Sequence, residues 1–405
     1  MRVSLCMIVK DEEAHLPACL ASVADLVHEI VVVDTGSTDA TRHIAAQWGA
    51  RVFDFPWIDD FAAARNESLR YATGDWVFWL DADDRLDAEN RDKLGHLFAR
   101  LPDALLGFSM HCLSDPIAGS HGEMVSVDHV RLFRRHPQLR WRYRVHEQIV
   151  PSLVELGGCV LATDIVIHHV GYRSADAYQR KDERNRRLLE RELQDRPDDP
   201  YILFKLGWNY HCQGRIAEAL PLLYRSVERI DPRDAIVRKL VGLIMRSHHL
   251  LGDRGAALRV AEQARVWYGS DRPLMAEVRF QEGLIRFELG DLAGAEAVLT
   301  QLLNSLLHGQ VLSQTPEVPI HRTRINLAAV YRRQNRLVEA EAQLRAALAE
   351  RPDFPIGWQA LADLLAAQGR RLEAAHACRQ LLALEPTNEY ARRCLEWASG
   401  GEQPS

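Results

Sequence analysis

Between Val3 and Leu80 four short strand-like runs are separated by three helically spaced segments, and this limits the possible folds more than any other feature. The runs are Val3–Val9, Glu29–Asp34, Arg51–Asp54 and Trp76–Leu80. Helical spacing fills Glu12–Ala24, about Ala40–Trp48 and Phe61–Thr73. Near-continuous apolar runs separated by crossover helices predict a parallel sheet with right-handed connections. Open sheets of that kind bind ligands beyond the carboxyl ends of their strands. Asp11, Asp34 and Asp81 stand at those ends, with Gly36 supplying a tight turn after the second strand. In Leu80-Asp81-Ala82-Asp83-Asp84 three carboxylates crowd one strand end. Packed carboxylates repel one another and lose hydration, so a divalent cation or many hydrogen bonds must compensate them. A solvated Asp-rich turn is the plainer alternative.

Composition narrows the function. A chain of 405 residues, 47% apolar and 26% charged, predicts a globular protein of two or three domains. A net charge of -6 gives no general attraction to nucleic acid. No apolar run reaches spanning length, and Val3–Val9 runs into Lys10-Asp11-Glu12-Glu13, which reads as a strand and not a leader. The seven cysteines are scattered and form no Cys-x-x-Cys pair, as expected of reduced thiols in a cytoplasmic protein. Asp34-Thr35-Gly36-Ser37 has neither the dinucleotide nor the P-loop spacing, which excludes dehydrogenase and NTPase readings.

Beyond Gly107, Leu106–Met110 and Val130–Arg134 read as strands of a mixed sheet. Trp141–Glu147 carries an aromatic, basic face, and Asp164–Tyr172 closes a domain spanning residues 1–175. Residues 176–199 read as a charged connecting helix with a solvated face, ending at Arg196-Pro197-Asp198-Asp199-Pro200. Residues 200–399 repeat. Leu327 and Leu361, Asn335 and Gly369, Ala340 and Ala374, and Pro352 and Pro386 each stand 34 positions apart, the tetratricopeptide period. About five helix pairs are expected, with a loop insertion at His308–Pro319, a cap helix at Asn388–Ser399 and a frayed tail at 400–405. Such repeats bind partners in a concave groove, or hold two copies together as a homodimer.

The ordered set Ile8-Val9-Lys10-Asp11-Glu12, Val32-Val33-Asp34-Thr35-Gly36-Ser37-Thr38-Asp39, Ala64-Arg65-Asn66 and Leu80-Asp81-Ala82-Asp83-Asp84 resembles the nucleotide-sugar domain of family 2 glycosyltransferases, of GT-A type. The resemblance implies a UDP-sugar donor. Asp11 and Asp34 would bind uracil and ribose, Arg65 would help hold Asp34 and the nucleotide, and Asp81 would bind the ribose or a metal-bound water. It further implies Mn²⁺ or Mg²⁺ on Asp83, with His169 rather than His168 as a further ligand, while Asp84 is equally well structural. Family 2 enzymes invert the anomeric centre, which calls for a carboxylate base. Glu147 is the candidate on the pattern match, with Asp115 and Asp128 behind it, and a Glu147 paired with Arg142 or Arg144 is the structural alternative. With repeats following, the whole resembles bacterial peptide S-glycosyltransferases, which implies a peptide or protein acceptor. A lipopolysaccharide or lipid-linked acceptor is the main rival, and a non-catalytic repeat scaffold with a degenerate transferase domain is the other.

Overall fold

The computed structural model describes residues 1–114, 125–171, 175–234, 236–309, 318 and 320–399. Asp115, Tyr172, residues 310–317 and 319 of the expected loop insertion, and the 400–405 tail lie outside them. The chain divides into two compact units, Met1–Pro197 and Asp198–Ser405.

The first unit is built on an eight-stranded mixed sheet. The parallel half comprises β1 (Val3–Val9), β2 (Glu29–Asp34), β3 (Arg51–Asp54) and β4 (Trp76–Trp79), with crossovers through α1 (Leu16–Ala21), α2 (Thr41–Gln47) and α3 (Phe61–Tyr71). Then follow β5 (Asp84–Arg85), α4 (Ala88–Ala99), β6 (Leu106–Ser114), β7 (Val125–Arg134), α5 (Val150–Glu155) and β8 (Cys159–His169). The order is β3-β2-β1-β4-β7-β6-β8-β5, with β7 antiparallel to both β4 and β6. Leu5, Met7, Val32, Trp76 and Phe78 are sealed from solvent between sheet and helices, as strands covered on both faces require. The helix expected from Glu12 is shorter. Asp11 adopts a left-handed backbone and Pro17 lies in the first turn of α1, so the intervening residues form turns.

The charged helix α6 (Ala175–Asp195) packs within this first unit. It is not solvated all round: Asn185, Leu188, Leu189 and Glu192 form a buried face. Glu192 accepts from the backbone N–H and Nη1 of Arg144, at 3.1 and 2.9 Å.

The second unit stacks helix pairs: α7 (Pro200–Cys212) with α8 (Ile216–Val227), α9 (Ile236–Leu250) with α10 (Arg254–Tyr268), and α11 (Arg272–Glu288) with α12 (Leu292–Leu307). After these come α13 (Ile320–Arg333) with α14 (Leu337–Glu350), α15 (Pro355–Ala367) with α16 (Arg371–Leu384), and the cap helix α17 (Glu389–Ala398). One residue in each intra-pair turn, Gly214, Gly252, Gly290, Asn335 or Gly369, takes φ between 60 and 81°. Glycine is favoured there because a side chain strains that conformation, and Asn is the usual substitute. Small residues set the pair spacing: Ala340 and Ala374 are fully buried.

Candidate active site

The site grows from the carboxyl end of β4, where Asp81, Asp83 and Asp84 follow the apolar strand. Asp84 is sealed from solvent and fully engaged. It accepts from the Asp81 backbone N–H at 2.8 Å, lies 2.9 Å from Arg131 Nη1, and pairs with His169 Nδ1 at 3.0 Å. Those contacts are possible because the two-residue strand β5 pairs antiparallel with β8, setting Asp84 opposite His169. A carboxylate so committed orients the groups around it.

Arg65 projects from α3 and is 5% exposed. Its Nε donates to Glu147 Oε1 at 2.6 Å and its Nη2 to Asp81 Oδ1 at 2.9 Å. The expected support of Asp34 by Arg65 is therefore not observed: α3 aims the guanidinium at the β4 end, and Arg42 is the cation near Asp34, at 3.9 Å. Arg131, on β7, is 3% exposed and lies 3.7 Å from Asp81 Oδ2. Both guanidinium groups rest over the Trp79 ring, at 4.1 and 3.8 Å from its centroid. An aromatic face favours cations where water is excluded, so Trp79 helps hold two like charges close together.

Electrostatics follow from this packing. Burial opposes the charged form of Asp81, but Arg65 and Arg131 outweigh it and hold the carboxyl well below the usual range. Asp83 moves the other way: burial and the charges of Asp81 and Asp84 raise it against the pull of His169. Burial works against a charged His169, yet the Asp84 hydrogen bond and the charges of Asp83 and Asp81 raise it overall. Glu12 is pushed up to about 7 by burial and by the charges of Asp83, Asp81 and Asp39.

Two observations bear on ligands. Because Asp84 accepts from Nδ1 of His169, the neutral imidazole presents Nε2 as its lone pair. This Nε2 and Asp83 Oδ2 lie 2.7 and 3.1 Å from where a Cβ on Gly171 would stand, so the glycine leaves open a cradle between a nitrogen and a carboxylate oxygen. Ligand atoms of Asp81, Asp84 and His169 also lie within 4.8 Å of one another, but the Asp84 oxygens are already taken. At the neighbouring strand end Asp34 is 1% exposed, its Oδ1 accepting from the Gly36 and Ser37 N–H groups at 3.0 and 2.9 Å. Its buried Oδ2 has no hydrogen-bond partner, an expensive state for a carboxylate that a ligand donor would relieve.

The remaining candidates are spread more widely. Asp11 Oδ1 accepts from the Thr38 N–H at 2.7 Å and so holds the β2–α2 turn. Glu147 lies in a loop and not after a strand; Arg142 and Gln148 form an isolated bridge around it, and Tyr143 and His146 have left-handed backbones. Its partner is Arg65, not Arg142 or Arg144, which pair with Glu155 and with Glu192 and Asp195. Asp128 pairs with His111 at 2.6 Å on exposed strand positions, and His168 with Asp87 at 3.2 Å. Glu12, Trp79 and Arg131 were not singled out by sequence reasoning. A charged residue inside the apolar run Val130–Phe133 was the available signal for Arg131.

Known proteins and families are similar to parts of this chain. A family model described as Glycosyl transferase family 2 matches residues 4–146, and one described as Tetratricopeptide repeat matches residues 177–235 and 325–389. A TPR repeat-containing protein of Synechococcus elongatus is 37% identical over 264 residues, covering 64% of this chain and 64% of its own. The SPbeta prophage-derived glycosyltransferase SunS of Bacillus subtilis is 30% identical over 260 residues, covering 60% of this chain and 59% of its own. The matches thus span less than two thirds of these relatives' lengths. Among solved structures, the APC/C hetero-tetramer Cut9-Hcn1 aligns with TM-score 0.43 at 17% identity over 54% of this chain and 40% of that one. Residues 4–146 are thus a glycosyl transferase family 2 domain, and tetratricopeptide repeats follow it.

Proposed function

We propose that this protein is a metal-dependent, inverting glycosyltransferase that moves a sugar from a UDP-sugar to a peptide or protein held by its repeats. The observation that carries the reading is the cradle at Gly171, where His169 Nε2, oriented by Asp84, faces Asp83 Oδ2. Asp83 and His169 would hold the cation, and the mixed oxygen and nitrogen donors suit Mn²⁺ better than Mg²⁺. When bound, the cation supplies positive charge to a diphosphate whose negative charge grows as the glycosidic bond breaks. Asp34 Oδ2 takes an N–H or O–H of the nucleoside, with Asp11 beside it. Asp81, kept ionised by Arg65 and Arg131, accepts from the ribose or from metal-bound water. Arg65 also fixes Glu147 through Oε1, leaving Oε2 to take the acceptor's proton on the face opposite the leaving group. The repeats support a polypeptide acceptor over a lipid-linked one, since no helix among the described residues is long and apolar enough to cross a membrane. SunS, itself described as a glycosyltransferase, supports the catalytic reading over a scaffold.

A panel of nucleotide sugars tested for binding and hydrolysis, with Mn²⁺ and with EDTA, decides it. UDP-sugars should bind and turn over only with the cation, and Asp83→Ala should abolish that difference. Metal-independent binding unchanged in Asp83→Ala, or equal affinity for GDP and CDP sugars, overturns the assignment.

A further inference from the structure

Two arginines at the cluster already face carboxylates: Arg65 donates to Asp81 and Glu147, and Arg131 Nη1 lies 2.9 Å from Asp84. A diphosphate arriving here meets carboxylates on several sides, so a cation from another element would favour its binding. Helix α6 is tied down beside the cluster at three points. Arg184 lies 4.9 Å from the Phe61 ring, one turn before Arg65 on α3. Arg187 Nη2 reaches Asp59 Oδ1 at 3.4 Å. Glu192 binds Arg144, three residues before Glu147.

These ties fix the rotation of the helix. Its buried face runs through Asn185, Leu188 and Glu192, and Lys181 falls on the same face one turn before Asn185, by the 3.6-residue period. Lys181 is thereby placed on the side of α6 that packs into the first unit, where the charges of Asp81, Asp83 and Glu147 each favour its ammonium form. Burial, followed by the neighbouring Arg184, nonetheless lowers its proton affinity overall.

We propose that Lys181 is a binding residue for the diphosphate of the nucleotide-sugar donor, reaching into the site from α6. The inference rests on the transferase reading and assigns the phosphate-facing cation within it. An ammonium suits this role because it is a compact point charge on a flexible stem, able to leave carboxylates for phosphate oxygens. The charges of Asp81, Asp83 and Glu147 also favour the ammonium before the donor binds.

The test is calorimetric titration of the full-length chain with UDP and with UMP in Mn²⁺, for wild type, Lys181→Met, Lys181→Gln and Lys181→Arg. Comparing UDP with UMP within each variant cancels any loss of folded protein. Lys181→Met and Lys181→Gln should weaken UDP by about tenfold or more while changing UMP much less, and Lys181→Arg should recover most of the UDP affinity. If wild type binds UDP with Mn²⁺ and both neutral variants keep its UDP-to-UMP ratio, Lys181 only balances carboxylate charge and this inference fails alone. If wild type binds no UDP, the transferase reading and this inference fall together.

Discussion

Three groups of the candidate site hold their protons more tightly than usual: Asp83, His169 and Glu12, the last to about 7. A metal ligand must give up its proton, and a nearby divalent charge draws protons from Glu12 as well. Mn²⁺ binding should therefore release protons, and its affinity should climb as pH rises through about 7. Titration in buffers of different ionisation enthalpy reads the release; pH-independent affinity would remove the cation from this cradle. The same shift acts on stability. Glu12 in the folded, metal-free protein keeps a proton that the unfolded chain loses near pH 4.5, so its contribution is complete below that pH and fades as pH rises through about 7. Glu12→Gln should flatten that decline in a series of thermal melts. Gly171→Ala probes the cradle sterically: its Cβ would fall 2.7 Å from His169 Nε2 and 3.1 Å from Asp83 Oδ2. It should weaken Mn²⁺-dependent UDP binding at least tenfold while leaving the melting temperature in EDTA nearly unchanged. Glu147→Gln should keep UDP affinity within about twofold and cut turnover by roughly 10² to 10⁴ if Oε2 receives the acceptor proton. Normal turnover would return the base role to another carboxylate.

At the level of elements, what the sequence made legible was whatever repeats or alternates. The parallel strands β1, β2 and β4 are near-continuous apolar runs, and the helix pairs announce themselves by Leu327 and Leu361 or Ala340 and Ala374 at one fixed spacing. Asp34 and Asp81 could be placed for the same reason, since they end strands. The other half of the site was not legible. Strand β5 is two residues long and carries no propensity of its own, yet its pairing with β8 sets Asp84 against His169. The Glu147 loop turns at Tyr143 and His146 with φ of 73 and 57°, conformations that no glycine or asparagine signalled. Long-range contacts such as Arg65 to Glu147 lie 82 positions apart and leave no local pattern. Spacing within the helix pairs yields a stability prediction. A Cβ at Gly283 would stand 2.5 Å from Leu299, whereas at Gly255 its nearest neighbours are 3.5 Å away. Gly283→Ala should cost about 1–3 kcal/mol by forcing α11 from α12. Gly255→Ala, inside α10 with room for a methyl, should gain up to about 1 kcal/mol from helix propensity. Urea unfolding of the two variants checks the contrast, and equal effects would discredit the packing account.

For the whole molecule, the question is why a transferase domain carries a helical array at all. Our answer is that remote parts of a polypeptide acceptor bind the repeats, and that this binding energy places its reacting residue at the sugar. Met1–Pro197 is a compact unit with its own core, so residues 1–197 should fold, as a cooperative melt would show. They should bind UDP with Mn²⁺ within about twofold of the full chain and hydrolyse the donor comparably, because the residues proposed to bind the donor lie inside that span. Transfer to the polypeptide acceptor should fall at least tenfold, because positioning is lost while the chemistry remains. Equal transfer rates would refute the role of the repeats. A truncation that fails to fold shifts the test to the full chain. There, a cavity of about 450 Å³ is lined by Phe287, Ile325, Ala328, Arg332 and Leu364, an apolar floor beside an exposed arginine. Arg332→Glu changes only surface charge at its rim, so it should spare stability and donor hydrolysis while lowering transfer to the polypeptide. If transfer is untouched both there and at other groove-facing positions, the array serves assembly and the acceptor is recognised by the first unit.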